Sequence, residues 1–238
     1  MKELEDYEWF PKLWRRYQTD YIGFVVAKFL IYKAFISYIS TKENLSEKMF
    51  DLCSGSGEPA ISIFQKSGVF KHLTLSDKFP QPMESKAHNI IYLNTSHDVL
   101  HDTFESGKTY TMFNAIHHFS DVQKTEMIRH LTESGSRAYI VEILQPGIIC
   151  FFKVFFATTI GTLILTPFIR PFSSKRLFFT YILPINILTI TFDGLVSVCK
   201  SRTVKQYQQL FQPMKDKTNV FKLKNGFSPL VVIEVKPL

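Results

Sequence analysis

The chain is poor in the residues that mark secreted and metal-stapled proteins. It has three cysteines, Cys53, Cys150 and Cys199, in 238 residues. Their odd number and lack of metal-type spacing argue against a disulfide framework and a zinc site, and for a reducing compartment. The first residues, Met-Lys-Glu-Leu-Glu-Asp, are charged rather than apolar, so no secretory signal is expected and the cytoplasm is the expected location. No nucleic-acid-binding module is recognisable. Beyond Lys200 basic residues outnumber acidic ones, but they are scattered rather than interleaved with aromatics on one face. What the chain does have is 23 phenylalanines and a formal net charge of +7. With the bases scattered, that composition fits a solvated surface, or one facing anionic lipid, around a greasy core. The length suits a single α/β domain with a full core.

The organising stretch is 49–60, read MFDLCSGSGEPA, in which an apolar strand runs through a glycine-rich turn into a helix. Gly55 and Gly57 supply backbone without Cβ, as positive φ and close approach of a ligand require. The pattern Gly55, Gly57, Ala60 fits a dinucleotide fingerprint loosely. Glu58, however, places an anion at the helix start and Pro59 removes a donor, so the turn suits a cationic ligand better than pyrophosphate. The stretch from Asp51 to Gly57 resembles motif I of the class I S-adenosylmethionine-dependent methyltransferases, with Cys53 and Ser54 where that family more often shows Gly and Cys. The competing reading is an ordinary strand-to-helix turn.

Further along, strand and helix patterns alternate as a parallel sheet requires. The strand HLTLSD ends in Asp77, 20 residues beyond Gly57, a usual spacing for a carboxylate that takes ribose hydroxyls. A weak strand over 90–96 precedes His97, Asp98 and Val99. Asp98 resembles the family's third motif, whose acid accepts from the adenine amino group, with a helix cap or a solvated loop acid as the alternative. A fourth strand, 110–114, delivers Ala-Ile-His-His-Phe-Ser-Asp, which resembles the segment after strand four in many small-molecule methyltransferases. Methyl transfer needs an oriented nucleophile and, for a hydroxyl acceptor, a base. His117 or His118 is the candidate base, and the alternative is that both are structural. A helix over 121–134, capped by Asp121 and stopped at Gly135, leads to a strand ending in Glu142, which is expected to face the same crevice as a second candidate base. Asn114 begins no N-P-P-Y motif, which disfavours amino groups of bases or glutamine as acceptors. The resemblance implies S-adenosyl-L-methionine as cofactor, held by Asp51, Ser54, Gly55, Gly57, Asp77, Lys78, Asp98, Val99 and Asn114.

Two regions are apolar beyond what a minimal domain needs. Lys28 and Lys33 make residues 7–40 a poor bilayer span, so they read as one or two helices packed on the core and closing over the cofactor, with a helix lying in a membrane interface, its lysines at the headgroups, as the alternative. The runs 148–169 and 177–192 carry only Lys153 between them. A transmembrane hairpin would put Arg170, Lys175 and Arg176 against the positive-inside preference, and Pro184 interrupts the second run. The expectation is therefore an apolar cap with that basic turn at the headgroups and Thr158, Thr162 and Thr166 on a less greasy face, with buried core helices as the alternative. Runs 219–224 and 230–236 read as a closing hairpin across Asn-Gly-Phe-Ser-Pro.

Together the segments DLCSGSG, DKFP, FNAIHHF and FDGLVS resemble an uncharacterised bacterial branch of class I methyltransferases. The expected fold is a Rossmann-like seven-stranded, mostly parallel sheet with a C-terminal antiparallel hairpin and an apolar helical insertion after strand five. It forms one domain over 1–238: helices in 1–42, the cofactor core in 43–146, the cap in 147–199, and a helix with the hairpin in 200–238. The expected activity is methyl transfer to a small, hydrophobic or lipid-like acceptor at a peripheral membrane surface, with no metal and no nucleic acid. An RNA or protein methyltransferase, and a cofactor-binding membrane-associated protein without catalysis, are the alternatives.

Overall fold

The computed structural model describes residues 2–81, 87–226 and 228–237. Seven strands form one sheet: β1 (Lys48–Leu52), β2 (His72–Leu75), β3 (Ile90–Tyr92), β4 (Thr109–Phe113), β5 (Arg137–Glu142), β6 (Thr218–Leu223) and β7 (Leu230–Val235). Their order is β3-β2-β1-β4-β5-β7-β6. Strands β1 to β5 run parallel, and β7 is antiparallel to both β5 and β6. Every residue of β4 and β7 is buried. That is why these strands read as unbroken apolar runs rather than as alternating ones, since helices cover both faces.

The pleat sends successive residues to opposite cores. Phe50 and Leu52 of β1, with Ala138 and Ile140 of β5, meet α4 (Asp121–Glu133) and α9 (Val204–Leu210) through Ile128, Leu131 and Tyr207. Met49, Tyr139 and Val141 face the other way. There they pack on α2 (Lys33–Ser40) and α3 (Ala60–Ser67) through Phe35, Ile39 and Ile63, all three with no exposed surface. Each such side chain contributes roughly 1.5–3 kcal/mol of burial. Ser120, not Asp121, caps α4, in a capping box with Gln123. Asp121 instead takes the Arg202 guanidinium at 2.6 and 2.8 Å. The third strand is three residues long rather than the expected run over 90–96. In the β6–β7 connection Asn225 bonds the Ile31 carbonyl and the Ala34 amide, and Phe227 lies outside the described residues.

After β5 the chain builds an outer helical layer. The stretch Ile148–Phe168 is one 21-residue helix of mean hydropathy 2.2. It comprises α5 (Ile148–Phe156), a π turn (Ala157–Gly161), α6 (Thr162–Leu165) and a closing 3-10 turn. Its Thr158, Thr162 and Thr166 are buried against the protein, each hydroxyl donating to the carbonyl four residues earlier. Then α7 (Ser174–Tyr181) bends by 75° into α8 (Ile185–Lys200) at Pro184. Gly194 lets α8 approach α5 closely, because a Cβ there would meet Val154 Cγ1 at 2.9 Å and Thr158 Cγ2 at 3.1 Å. One expectation for the basic turn fails. Arg176 is buried and pairs with Asp20 of α1 (Lys12–Lys28) and with the Ile169 and Pro171 carbonyls, so only Arg170 and Lys175 remain exposed there.

Candidate functional site

The parallel strands end on one side, and the turn after β1 forms the floor of the crevice there. Gly55 and Gly57 have φ of 52° and 90°. Helix α1 lies directly over this turn: a Cβ at Gly23 would collide with Ser56 Oγ, and Thr19 faces Gly55. Glu58 Oε2 accepts the Ser62 amide at 3.2 Å, placing a carboxylate at the start of α3. The Ser54 hydroxyl is committed to the turn, donating to the Asp51 carbonyl and accepting from the Ser76 amide.

Asp51, Asp77 and Asp98 converge from the ends of β1, β2 and β3. The Cys53 thiol is raised by burial and, after that, by the charges of Asp77, Asp51, Asp98 and Asp6, so all four carboxylates act on this turn. Asp77 accepts the Gly55 amide at 2.8 Å and the Phe79 amide at 2.8 Å. Tyr92 closes the arrangement by donating to the Gly55 carbonyl at 2.6 Å. Asp51 is buried and accepts from the Thr111 hydroxyl at 2.6 Å. Burial lifts its carboxyl to about 7, opposed by the Thr111 and Ser54 hydroxyls and reinforced by the charge of Asp77. Asp98 is the contrast. Burial acts upward on it, but the Lys78 ammonium at 2.9 Å and the Leu100 amide hold it below the usual carboxylate range. Val99 points away into the core. Asn114 sits at φ 50° with its side-chain carbonyl buried and without a partner among the described residues.

Beyond Asn114, a 3-10 turn (Ile116–His118) presents the two histidines. His117 Nδ1 lies 2.9 Å from Glu142 Oε2, and Glu142 Oε1 accepts the Ile116 amide at 3.2 Å. Glu142 has no exposed surface, and the His117 ring that it holds is itself 1% exposed. It acts on the ring as a carboxylate partner that selects the tautomer and orientation. His118 Nδ1 lies 2.8 Å from Asp6. Burial draws the His118 imidazole down, but the Asp6 bond and the charges of Glu3, Asp6 and Glu5 carry it up to about 9, so it is a cation at neutral pH.

The partners of the histidines were not foreseen. The amino-terminal segment lies across them, and Glu3, Glu5 and Asp6 all approach His118. Asp193 of α8 holds that segment by accepting the Leu4 amide at 2.7 Å, the Glu5 amide at 3.2 Å and the Gln18 side chain at 2.9 Å. Arg15 links the two halves of the crevice: it bonds the Glu5 and Tyr7 carbonyls, lies 3.9 Å over the Phe79 ring, and feels Glu5, Asp77 and Asp6. In the sequence the acids at 3, 5 and 6 read only as a charged stretch. Their pairing with residues more than a hundred positions away carried no local signal.

No family model matches the sequence, and no curated protein matches it. Solved structures do. The chain is similar to human N-acetylserotonin methyltransferase in complex with SAM, at 16% identity over 87% of this chain and 53% of that one, with a TM-score of 0.51. An O-methyltransferase family 2 protein from Planctomyces limnophilus, in complex with apigenin, gives 12% identity, 93% and 62% coverage and a TM-score of 0.53. The mitomycin 7-O-methyltransferase gives 14%, 90%, 55% and 0.50. This is the class I methyltransferase fold. The methyltransferase fold accounts for the whole sheet, including the antiparallel β7, while the chain spans little more than half the length of the first and third of these structures.

Proposed function

We propose that the chain binds S-adenosyl-L-methionine in the crevice at the ends of β1 to β4 and transfers its methyl group to a small hydrophobic or lipid-like hydroxyl compound. The observation that carries this reading is the convergence of Asp51, Asp77 and Asp98 around the Gly55–Gly57 turn. The donor set suits the cofactor. Asp77 is available to ribose hydroxyls, Asp98 to the adenine amino group, and Asp51 with the Asn114 carbonyl offers oxygens to the cationic methionine half. When bound, the cofactor supplies an electrophilic methyl on a sulfonium. The chain's task is to orient the acceptor against it and to remove the hydroxyl proton.

Of the two histidines, His117 suits proton removal. Its Nδ1 is fixed by Glu142, leaving Nε2 to accept, whereas His118 is held as a cation. Glu142 then stabilises the imidazolium that forms. The apolar character of the acceptor is supported by a groove of about 550 Å³ lined by Leu4, Phe155, Thr159, Leu188, Phe192 and Leu195. Leu4 adjoins Glu3, which lies beside both histidines, so an apolar tail in this groove brings its head toward the crevice.

The outer helices favour peripheral attachment to a bilayer. Ile149, Phe152, Phe156, Ile160, Ile164 and Ile182 are all exposed there, and an outer layer carrying so many large exposed apolar side chains favours an apolar surround. With the threonine stripe buried against the protein, that helix presents its other faces outward, with Arg170 and Lys175 placed to meet anionic headgroups.

Incubating the purified chain with methyl-labelled S-adenosylmethionine and a lipid-plus-metabolite extract tests the proposal. Label in an organic-soluble product, lost in His117→Asn, supports it. Label confined to RNA or protein would transfer the activity to another acceptor class.

A further inference from the structure

The histidine turn has a geometry that neither the sheet nor proton transfer requires. Both imidazoles are anchored through Nδ1 on a carboxylate, His117 on Glu142 at 2.9 Å and His118 on Asp6 at 2.8 Å. Both therefore turn Nε2 the same way, and both Nε2 atoms face one oxygen: Glu3 Oε2 lies 3.5 Å from His118 Nε2 and 4.0 Å from His117 Nε2. The Glu3 carboxylate is itself oriented, by the Ser197 hydroxyl at 2.8 Å and by Lys200 on its other oxygen at 3.0 Å. Glu3 and His117 are buried.

Carboxylate-backed histidines that direct Nε2 at a common point, together with a hydrogen-bonded carboxylate, form the usual surround of a transition-metal ion. Ligands at about 2.0–2.1 Å in a tetrahedron stand about 3.3 Å apart; the two Nε2 atoms and the Glu3 oxygen lie within 4.8 Å of one another, so closing on an ion draws them together by about an ångström or less at most pairs. Glu5 Oε1, 3.7 Å from His118 Nε2, is a fourth donor within reach.

We propose that Glu3, His117 and His118, with Glu5 completing the shell, form a site for one divalent ion of the zinc class. The ion staples the amino-terminal segment across the crevice. Two imidazoles and carboxylates select a borderline ion over magnesium or calcium, which prefer all-oxygen shells. The site stands on these residues alone and does not rest on the methyltransferase reading. If both hold, the ion occupies the Nε2 that the proposed proton transfer uses, so metal binding and methyl transfer exclude one another.

The test uses the full chain, stripped with a chelator and titrated in the absence of cofactor with Co²⁺ by visible absorption and with Zn²⁺ by calorimetry. One ion per chain is expected, with four-coordinate Co²⁺ bands. Glu3→Gln and His118→Asn should each weaken binding at least about tenfold, while His130→Gln at the half-buried His130 of α4, outside the cluster, should leave it unchanged. In the wild-type chain, imidazole NMR signals of His117 and His118 should shift on adding one equivalent of Zn²⁺, a readout that needs no variant to fold. Absence of saturable binding to the wild-type chain, or full affinity in both site variants, overturns the proposal. Because no cofactor is present, its failure is separate from failure of the methyltransferase reading.

Discussion

The proposed cofactor site makes a pH-dependent prediction, because Asp51 is buried. The folded chain holds the Asp51 proton up to about pH 7, whereas an unperturbed aspartate releases it near 3.8. Between these values the folded state binds the extra proton, so this group's contribution to stability is full at low pH and is lost as pH rises through that window. The cationic methionine half of the cofactor reverses the preference, because it favours the ionised carboxylate. If only the ionised form binds, affinity at pH 6 is about tenfold below that at pH 8, or about 1.4 kcal/mol. Calorimetry at pH 6 in two buffers of different ionisation heat should also report release of about one proton on binding. Asp51→Asn keeps an acceptor for the Thr111 hydroxyl and removes the ionisation. The variant should show a weaker, nearly flat profile over the same range. A wild-type profile as flat as the variant's, with no proton released, would refute the assignment of Asp51 to the cationic end of the ligand.

Four further outcomes follow from the geometry. His117→Asn should lower turnover by about 10²–10⁴-fold with cofactor affinity nearly intact, and Glu142→Gln should lower it less, because the ring keeps a hydrogen-bond partner; steady-state kinetics with calorimetry separates the two. Asp193→Ala strips the acceptor from the Leu4 and Glu5 amides and from Gln18. It should cost about 1–3 kcal/mol in urea unfolding and expose the first ten residues to limited proteolysis. Gly194→Leu should separate α5 from α8 and lower the thermal midpoint, since even a Cβ would lie 2.9 Å from Val154. Carbonate or high-salt washing should release much of the protein from membranes, and resistance to both washes would mark Ile148–Phe168 as a span.

The sheet was legible because each strand announces itself locally. The short strand running into Asp77, the fully buried β4 and β7, and the glycine turn after β1 fix strand direction and, through it, which ends share a crevice. That is why Asp51, Asp77 and Asp98 could be gathered from 48 residues of chain, from 51 to 98. The FDGLVS segment was visible as a pattern but not as a role. Asp193 anchors the amino-terminal segment and Gly194 admits α5, and both roles depend on partners that no local periodicity encodes. Arg176 was misplaced for the same reason. Beside Arg170 and Lys175 it reads as one more headgroup contact, but Asp20 stands opposite it, 156 residues away. Glu142 was correctly placed at a strand end, yet a strand end does not say what the side chain meets, and here it holds the buried His117 ring.

Direct titration of the purified 238-residue chain with S-adenosylmethionine, beside Asp77→Ala, tests the central claim most directly. Asp77 carries the Gly55 and Phe79 amides and is the acid assigned to the ribose. The account predicts one saturable site per chain in the wild type and a loss of about 1–3 kcal/mol in the variant, the cost of removing hydrogen bonds to a charged group. No binding by the wild-type chain, or equal affinity in the variant, would contradict it.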